Sequence, residues 1–125
     1  MHLKMALFMT CMAAFPAVNP ASAADDRPSP NCQGSTVDMM NCLTRALKPW
    51  DKRLNTAYQA AIKASENPAR KQALLHAERA WLAYRTANCG WYAKHDGTIS
   101  QILAPQCMLN MTRSRVLELE VASTE

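Results

Sequence analysis

Residues 78–89, with the sequence ERAWLAYRTANC, decide the fold. Apolar side chains recur in and around this stretch at the three- and four-residue spacing of an amphipathic helix, and two opposite charges, Glu78 and Arg85, fall within the apolar stripe. A charge on a buried face is costly unless it is paired. The stretch therefore predicts a helix, from Pro68 to about Lys94, that packs against other helices and finds charged partners on them.

A first helix is predicted upstream, over residues 36–64. Ser35 and Asp38 have the spacing of a capping box, in which each side chain caps the backbone N–H of the other residue. The pair Asn67-Pro68 ends this helix and opens the next one, since proline is favoured in a first helical turn. Pro49 removes one hydrogen bond inside the first helix, so we expect a kink or a break near it.

A third helix is predicted over residues 98–119, after the turn Asp96-Gly97-Thr98 and with Pro105 inside its first turns. Two more charged residues, Asp51 and Arg115, lie on apolar stripes. The stripe around Asp51 on the first helix consists of Leu47, Leu54, Tyr58 and Ile62, and the one around Arg115 on the third consists of Met108, Met111, Thr112 and Leu119. Their distances along the chain from the two turns place them level with charges on the middle helix. We therefore expect two buried inter-helix ion pairs, Asp51 with Arg85 and Glu78 with Arg115.

Four cysteines remain outside the N-terminal leader, and an even number in a small exported domain predicts disulfides. Cys89 and Cys107 flank the second turn at similar distances, so an antiparallel hairpin pairs them and leaves Cys32 for Cys42. All four gather at one end of the bundle, so a crossed pairing of Cys32 with Cys89 or Cys107 stays open. Their spacing lacks the close pairs that zinc sites use.

The N-terminal residues 1–24 have the pattern of a cleaved signal peptide, with a short basic segment, an apolar run and the motif Ala21-Ser22-Ala23. The apolar run is too short to span a membrane, so we expect a periplasmic or secreted protein without a membrane anchor. Cleavage removes Lys4 from the 14 Lys and Arg that face 10 Asp and Glu, which leaves a net charge of +3. These charges are spread along the helices, unlike the concentrated basic face of nucleic-acid-binding proteins.

Together these features predict an all-α fold, a disulfide-stapled antiparallel three-helix bundle. Residues 25–35 form an extended lead-in, and residues 36–122 form the helical domain.

A set of residues follows one another along the mature chain in a characteristic order and spacing: Cys32, Thr36, Met40, Cys42, Asp51, Leu54, Asn55, Tyr58, Glu78, Trp81, Tyr84, Arg85, Cys89, Gly97, Thr98, Cys107, Thr112, Arg115 and Leu119. This order and spacing resemble the LprI-like lysozyme inhibitor family over nearly the whole mature chain. The resemblance implies an exported helical module, associated in some members with lysozyme inhibition. The sequence departs from the family pattern at Glu78, where glutamine is common, and at residues 95–97, where a double glycine is usual.

The residues assemble no nucleophile with a base and no phosphate-binding loop, so we expect neither catalysis nor a cofactor. Asp51 and Glu78 would be the best glycosidase pair, but each has an arginine to neutralise it. The residues that a metal site would use are His76, His95 and Asp96, but the two histidines lie on different parts of one helix. The function that the resemblance favours is inhibition of lysozyme or a related cell-wall hydrolase by protein–protein binding. The alternative is a non-catalytic structural or interaction module of the cell envelope with an unknown protein partner.

The expected contact surface is the turn after the second helix. Trp91 points away from the stripe of Trp81, and Lys94 and His95 follow it as hydrogen-bond donors for the carboxylates of a hydrolase cleft. The plainer interpretation is an ordinary solvated connection between two helices.

Overall fold

A computed structural model describes residues 30–124 of the chain. It contains three helices and, within this range, no strand: α1 (Thr36–Ala64), α2 (Pro68–Tyr92) and α3 (Ser100–Ala122). The predicted all-α, disulfide-stapled bundle is confirmed. The predicted signal peptide, residues 1–24, and the first part of the lead-in, residues 25–29, lie outside the described residues.

Helix α3 is the centre of the bundle, because it packs against both other helices while α1 and α2 make few direct contacts. The core lies mainly between α1 and α3, and Leu109 and Val116 of α3 are completely buried. Helix α2 is peripheral, with only Glu78 and Cys89 in the buried class. The core residues are Leu43, Trp50, Leu54, Ala57, Ala61, Leu109, Val116 and Leu119.

The buried stripe of α1 differs from the predicted one. Besides Leu54, it is formed by Leu43, Trp50, Ala57 and Ala61, so it is rotated away from the expected stripe, which had Asp51 at its middle. The sequence predicted a kink or a break near Pro49, and the helix continues through Pro49 without a break. Burial of apolar side chains on both sides of the proline holds the two halves of α1 against α3, which outweighs one missing hydrogen bond.

The helix ends near the second turn also differ from the sequence prediction. Helix α2 stops at Tyr92 and α3 starts at Ser100, so the connection is longer than the expected turn. Gly97 has a φ of 75°, a left-handed conformation that favours glycine, and it reverses the chain there. The hydroxyl of Ser100 donates to the carbonyl of Gly97 at 3.0 Å, and no side chain in the described part of the chain caps the first N–H groups of α3.

The predicted capping box at the start of α1 is present. The backbone N–H of Asp38 donates to the Ser35 hydroxyl oxygen at 3.2 Å, and the backbone N–H of Ser35 donates to the Asp38 carboxylate at 3.0 Å. The Ser35 hydroxyl also donates to the same carboxylate oxygen at 2.6 Å. These donors stabilise the charged form and hold the pKa of Asp38 below its ordinary value of 3.8.

The lowered pKa of Asp38 predicts a pH-dependent start of α1. A carboxyl whose pKa falls on folding contributes stability above its unfolded pKa, and that contribution is lost as the pH falls through the folded pKa. We therefore expect Asp38→Asn to melt below the parent at pH 7 and to approach it below about pH 3. Thermal unfolding of both proteins between these pH values measures the difference. An equal gap at every pH would contradict the assignment to the carboxylate charge.

Candidate functional site

Two disulfides fix one end of the bundle. Cys89 of α2 is bonded to Cys107 of α3, and Cys32 of the lead-in is bonded to Cys42 of α1. The crossed pairing that the sequence left open is therefore not formed. The first of these bonds ties α2 to α3 immediately before the connection between them.

The C-terminal end of α2 carries a cluster of aromatic rings. The ring of Trp91 lies 4.9 Å from that of Tyr92 and 4.8 Å from that of His95, both edge to face, and Tyr92 and His95 are stacked. Trp91 is 59% exposed. We call residues 91–98 the aromatic turn. Because its rings support one another, Trp91 is held at the surface instead of folding back onto the helix.

The backbone of the aromatic turn is held by short-range hydrogen bonds. The N–H of Lys94 donates to the carbonyl of Trp91 at 3.1 Å, and the N–H of His95 donates to that of Tyr92 at 3.3 Å. The side chains of Lys94 and His95 are exposed. The structure thus places the three proposed contact residues, Trp91, Lys94 and His95, on one exposed segment beside the Cys89–Cys107 bond.

The first expected ion pair is present, but one partner is not buried. Nη1 of Arg85 lies 3.2 Å from Oδ1 of Asp51 and donates to the hydroxyl of Thr112 at 2.8 Å. The side chain of Arg85 is 13% exposed, whereas that of Asp51 is 48% exposed. The expectation of a buried Asp51 was wrong, because the buried face of α1 is rotated away from it. A single partly solvated contact of this kind contributes little to stability.

The second ion pair is the buried one. Both Nε and Nη2 of Arg115 lie 2.9 Å from Oε2 of Glu78, and the two side chains are 14% and 10% exposed. Nη1 of Arg115 reaches Glu118 at 2.9 Å. Burial alone would lower the pKa of Arg115, but the hydrogen bonds to Glu118 and Glu78 outweigh burial, so this pKa is raised.

A groove of about 290 Å³ separates α1 from α2. Its walls include Leu54 and Tyr58 from α1 and Leu75 and Leu82 from α2. Asp51 and Glu78 also line it, and each is bonded to an arginine of a neighbouring helix. Both carboxylates that line the groove are therefore paired with a guanidinium.

Sequence reasoning missed a third inter-helix ion pair. Arg53 of α1 binds Glu120 of α3 with two parallel hydrogen bonds, and the one from Nη2 is 2.6 Å long. The guanidinium of Arg53 also lies 5.0 Å from the ring centre of the buried Trp50. The signal was weak, because neither charge interrupts an apolar stripe in the sequence.

The structure does not bring His76, His95 and Asp96 together as metal ligands. Among residues 30–124, no three histidine, cysteine, aspartate or glutamate side chains are grouped so that they could hold a metal ion. His76 and His95 are both exposed. None of the helices α1 to α3 is long and apolar enough to cross a membrane.

Comparison with known proteins identifies the family of this chain. No solved structure matches the chain significantly. An uncharacterized protein of Rhizobium meliloti (strain 1021) is 26% identical over 132 aligned positions, which cover 93% of this chain and 89% of that protein. The sequence profile of the family described as "Lysozyme inhibitor LprI" matches residues 29–119, which include all three helices up to the end of the α3 core. The chain therefore belongs to the lysozyme inhibitor LprI family.

Proposed function

We propose that this protein is exported and inhibits a lysozyme or a related cell-wall hydrolase by binding to it. Its membership of the LprI family supports inhibition as the activity. The two disulfides fit an extracytoplasmic location, where such bonds persist, and the signal-peptide pattern of residues 1–24 supports export. The arginine-paired carboxylates in the groove support a role in binding over one in hydrolysis.

The observation that carries the proposed binding surface is the exposure of Trp91 on the aromatic turn. Tryptophan is the residue type that most often dominates the binding energy of protein interfaces, particularly where its position is fixed before binding. Trp91 is 59% exposed and is supported by the rings of Tyr92 and His95. The Cys89–Cys107 bond braces the same segment. A rigid aromatic anchor of this kind loses little entropy when it enters a partner.

The polar groups of the turn match the chemistry of a glycosidase cleft. Most glycoside hydrolases place two carboxyl groups across the bond that they cleave. Lys94 and His95 are exposed hydrogen-bond donors next to Trp91, and they would bind these carboxyl groups once the turn enters the cleft. The net charge of +3 would repel a basic hydrolase at long range, but salt screens such forces beyond about 8–10 Å. Contacts within the cleft are shorter than that.

The proposal is tested by measuring lysis of cell walls by several classes of lysozyme with and without the oxidised domain. Replacing Trp91, Lys94 and His95 together by alanine is expected to raise the concentration needed for half-inhibition by roughly 30-fold or more, as for loss of an interface hot spot. All three side chains are exposed, so the variant should keep the melting temperature of the parent to within a few degrees.

A matched control variant replaces Tyr84, Lys71 and His76 by alanine. These residues again supply one aromatic ring, one lysine and one histidine, all on exposed positions of α2 outside the aromatic turn. This control should inhibit as the parent does. Equal inhibition by both triple variants would exclude the aromatic turn as the contact surface. Absence of inhibition by the parent against every class of lysozyme would contradict the proposed function itself.

A further inference from the structure

The outward face of α2 is apolar although it lies in solvent. A stripe of six residues runs along it at alternating spacings of four and three, which places them on one side of a helix. Every one of them is exposed, and the two aromatic members, Tyr84 and Trp91, are 61% and 59% exposed. The stripe consists of Ala73, Ala77, Ala80, Tyr84, Ala87 and Trp91.

Charged side chains are nearly absent from this face. Between residues 73 and 91 the chain has three charged residues, of which Glu78 is buried and Arg85 is 13% exposed in its ion pair. The third, Arg79, lines the groove on the α1 side of the helix. A surface helix normally places its charges on the solvent side. An exposed apolar face of this length instead marks a surface that another molecule covers.

The order of residues along the stripe indicates what covers it. The pattern is symmetric in position about residue 82. Trp91 mirrors Ala73 and Tyr84 mirrors Ala80, so a large residue mirrors a small one in both pairs, and between them Ala87 mirrors Ala77. Two such stripes laid antiparallel therefore place each aromatic ring against an alanine of the other helix. A parallel arrangement would stack equal residues, with ring on ring at two levels and alanine on alanine at the others.

We propose that two copies of this protein pair through this face of α2, with the two helices antiparallel. A contact of this kind uses the same patch on both copies and closes with twofold symmetry. The alanines let the helix backbones approach closely, and the rings of Tyr84 and Trp91 cover the methyl groups opposite them. This inference does not depend on the proposed inhibition of a hydrolase.

The dimensions of the stripe predict a transient dimer. It spans about 27 Å at about 1.5 Å per residue, and one helix pair of that length buries less than the roughly 1,200 Å² of a stable complex. Arg70 and Lys94, which bound the stripe, would also face each other across the pair and weaken it. The average mass in solution should therefore rise from that of a monomer toward that of a dimer between about 1 µM and 1 mM protein.

The test uses sedimentation equilibrium of the oxidised protein and of two double variants. Ala77→Glu with Ala87→Glu puts like charges opposite each other in the antiparallel pair and is expected to weaken association more than tenfold. Ala77→Lys with Ala87→Glu puts opposite charges face to face and should associate at least as well as the parent. Both positions are exposed, and lysine and glutamate are good helix formers, so both variants should stay folded, which circular dichroism verifies.

A control variant, Gln59→Glu with Ala60→Glu, changes the net charge as the double-glutamate variant of α2 does, but on exposed positions of α1. It should dimerise as the parent does. A parent that stays monomeric up to about 1 mM would overturn the proposal. The proposal would also be overturned if the two α2 variants dissociated equally. Only an antiparallel pair places residue 77 of one copy opposite residue 87 of the other, so only that arrangement predicts a difference between them. All these variants retain Trp91, Lys94 and His95. Because the dimer would cover Trp91, inhibition of a hydrolase is measured below about 1 µM, where the protein is expected to be monomeric, so that it succeeds or fails separately from dimerisation.

Discussion

Replacing Arg115 by alanine is expected to lower the free energy of unfolding by about 3–5 kcal/mol. The reason is the position of Glu78, whose side chain is 10% exposed and whose ion-pair partner is Arg115. Removing the guanidinium leaves a carboxylate in a largely buried position without its charged partner. For a domain of this size the melting temperature should fall by more than about 10 °C, measured by circular dichroism.

Three comparisons identify the stranded charge as the cause. Glu78→Ala should cost less than Arg115→Ala, because Arg115 keeps its bond to Glu118. Glu78→Gln combined with Arg115→Ala should be more stable than Arg115→Ala alone, since an uncharged amide is cheaper to bury than a carboxylate. Asp51→Ala should cost no more than about 1 kcal/mol because Asp51 is half exposed. If Arg115→Ala melted within about two degrees of the parent, the pair would not be a buried structural element.

The sequence predicted the two ion pairs more accurately than their burial. Residue counts from the turns were enough to bring Arg85 to Asp51 and Arg115 to Glu78, because antiparallel helices fix axial levels at a constant rise per residue. Burial depends on how each helix is rotated about its own axis. In α1 the decisive residues are Ala57 and Ala61, which are buried in the core. Their small side chains carry almost no hydrophobic signal, so the larger Leu47 and Ile62 drew the predicted stripe to the wrong side.

The buried face of the central helix α3 was also difficult to predict from the sequence. Helix α3 contacts both α1 and α2, so apolar residues surround it instead of forming one stripe. The expected stripe of α3 contained Met108 and Met111, so it missed Leu109 and Val116, which are completely buried. A pattern that assumes one buried face identifies the core of a peripheral helix better than that of a central one.

The exposure of the aromatic turn was predicted from the sequence, but the contacts that build it were not. The alternation of helix and turn placed Trp91, Lys94 and His95 on one exposed segment. The packing of the ring of Trp91 against those of Tyr92 and His95 depends on the helix ending at Tyr92, two residues before the expected end. Helix ends are set by local competition between hydrogen bonds and turn conformations, which spacing alone does not determine.

Replacing Cys89 and Cys107 together by alanine is expected to lower the free energy of unfolding by about 3 kcal/mol, since the bond closes a loop of 18 residues in sequence. The structural consequence should be larger in α2 than elsewhere. That helix has only Glu78 and Cys89 in the buried class and makes few contacts with α1, so few other interactions hold it in place. Hydrogen exchange should therefore accelerate most in the C-terminal half of α2.

Replacing Cys32 and Cys42 by alanine is the matched comparison. That bond joins the lead-in to the start of α1, so its loss should accelerate hydrogen exchange there and leave α2 protected. Under the proposed function, loss of the Cys89–Cys107 bond should weaken inhibition because the bond braces the aromatic turn, whereas loss of the Cys32–Cys42 bond should not. If exchange in α2 were unchanged without Cys89 and Cys107, packing against α3 would be sufficient to hold this helix. Rigidity of the aromatic turn would then have to come from its own ring contacts and hydrogen bonds.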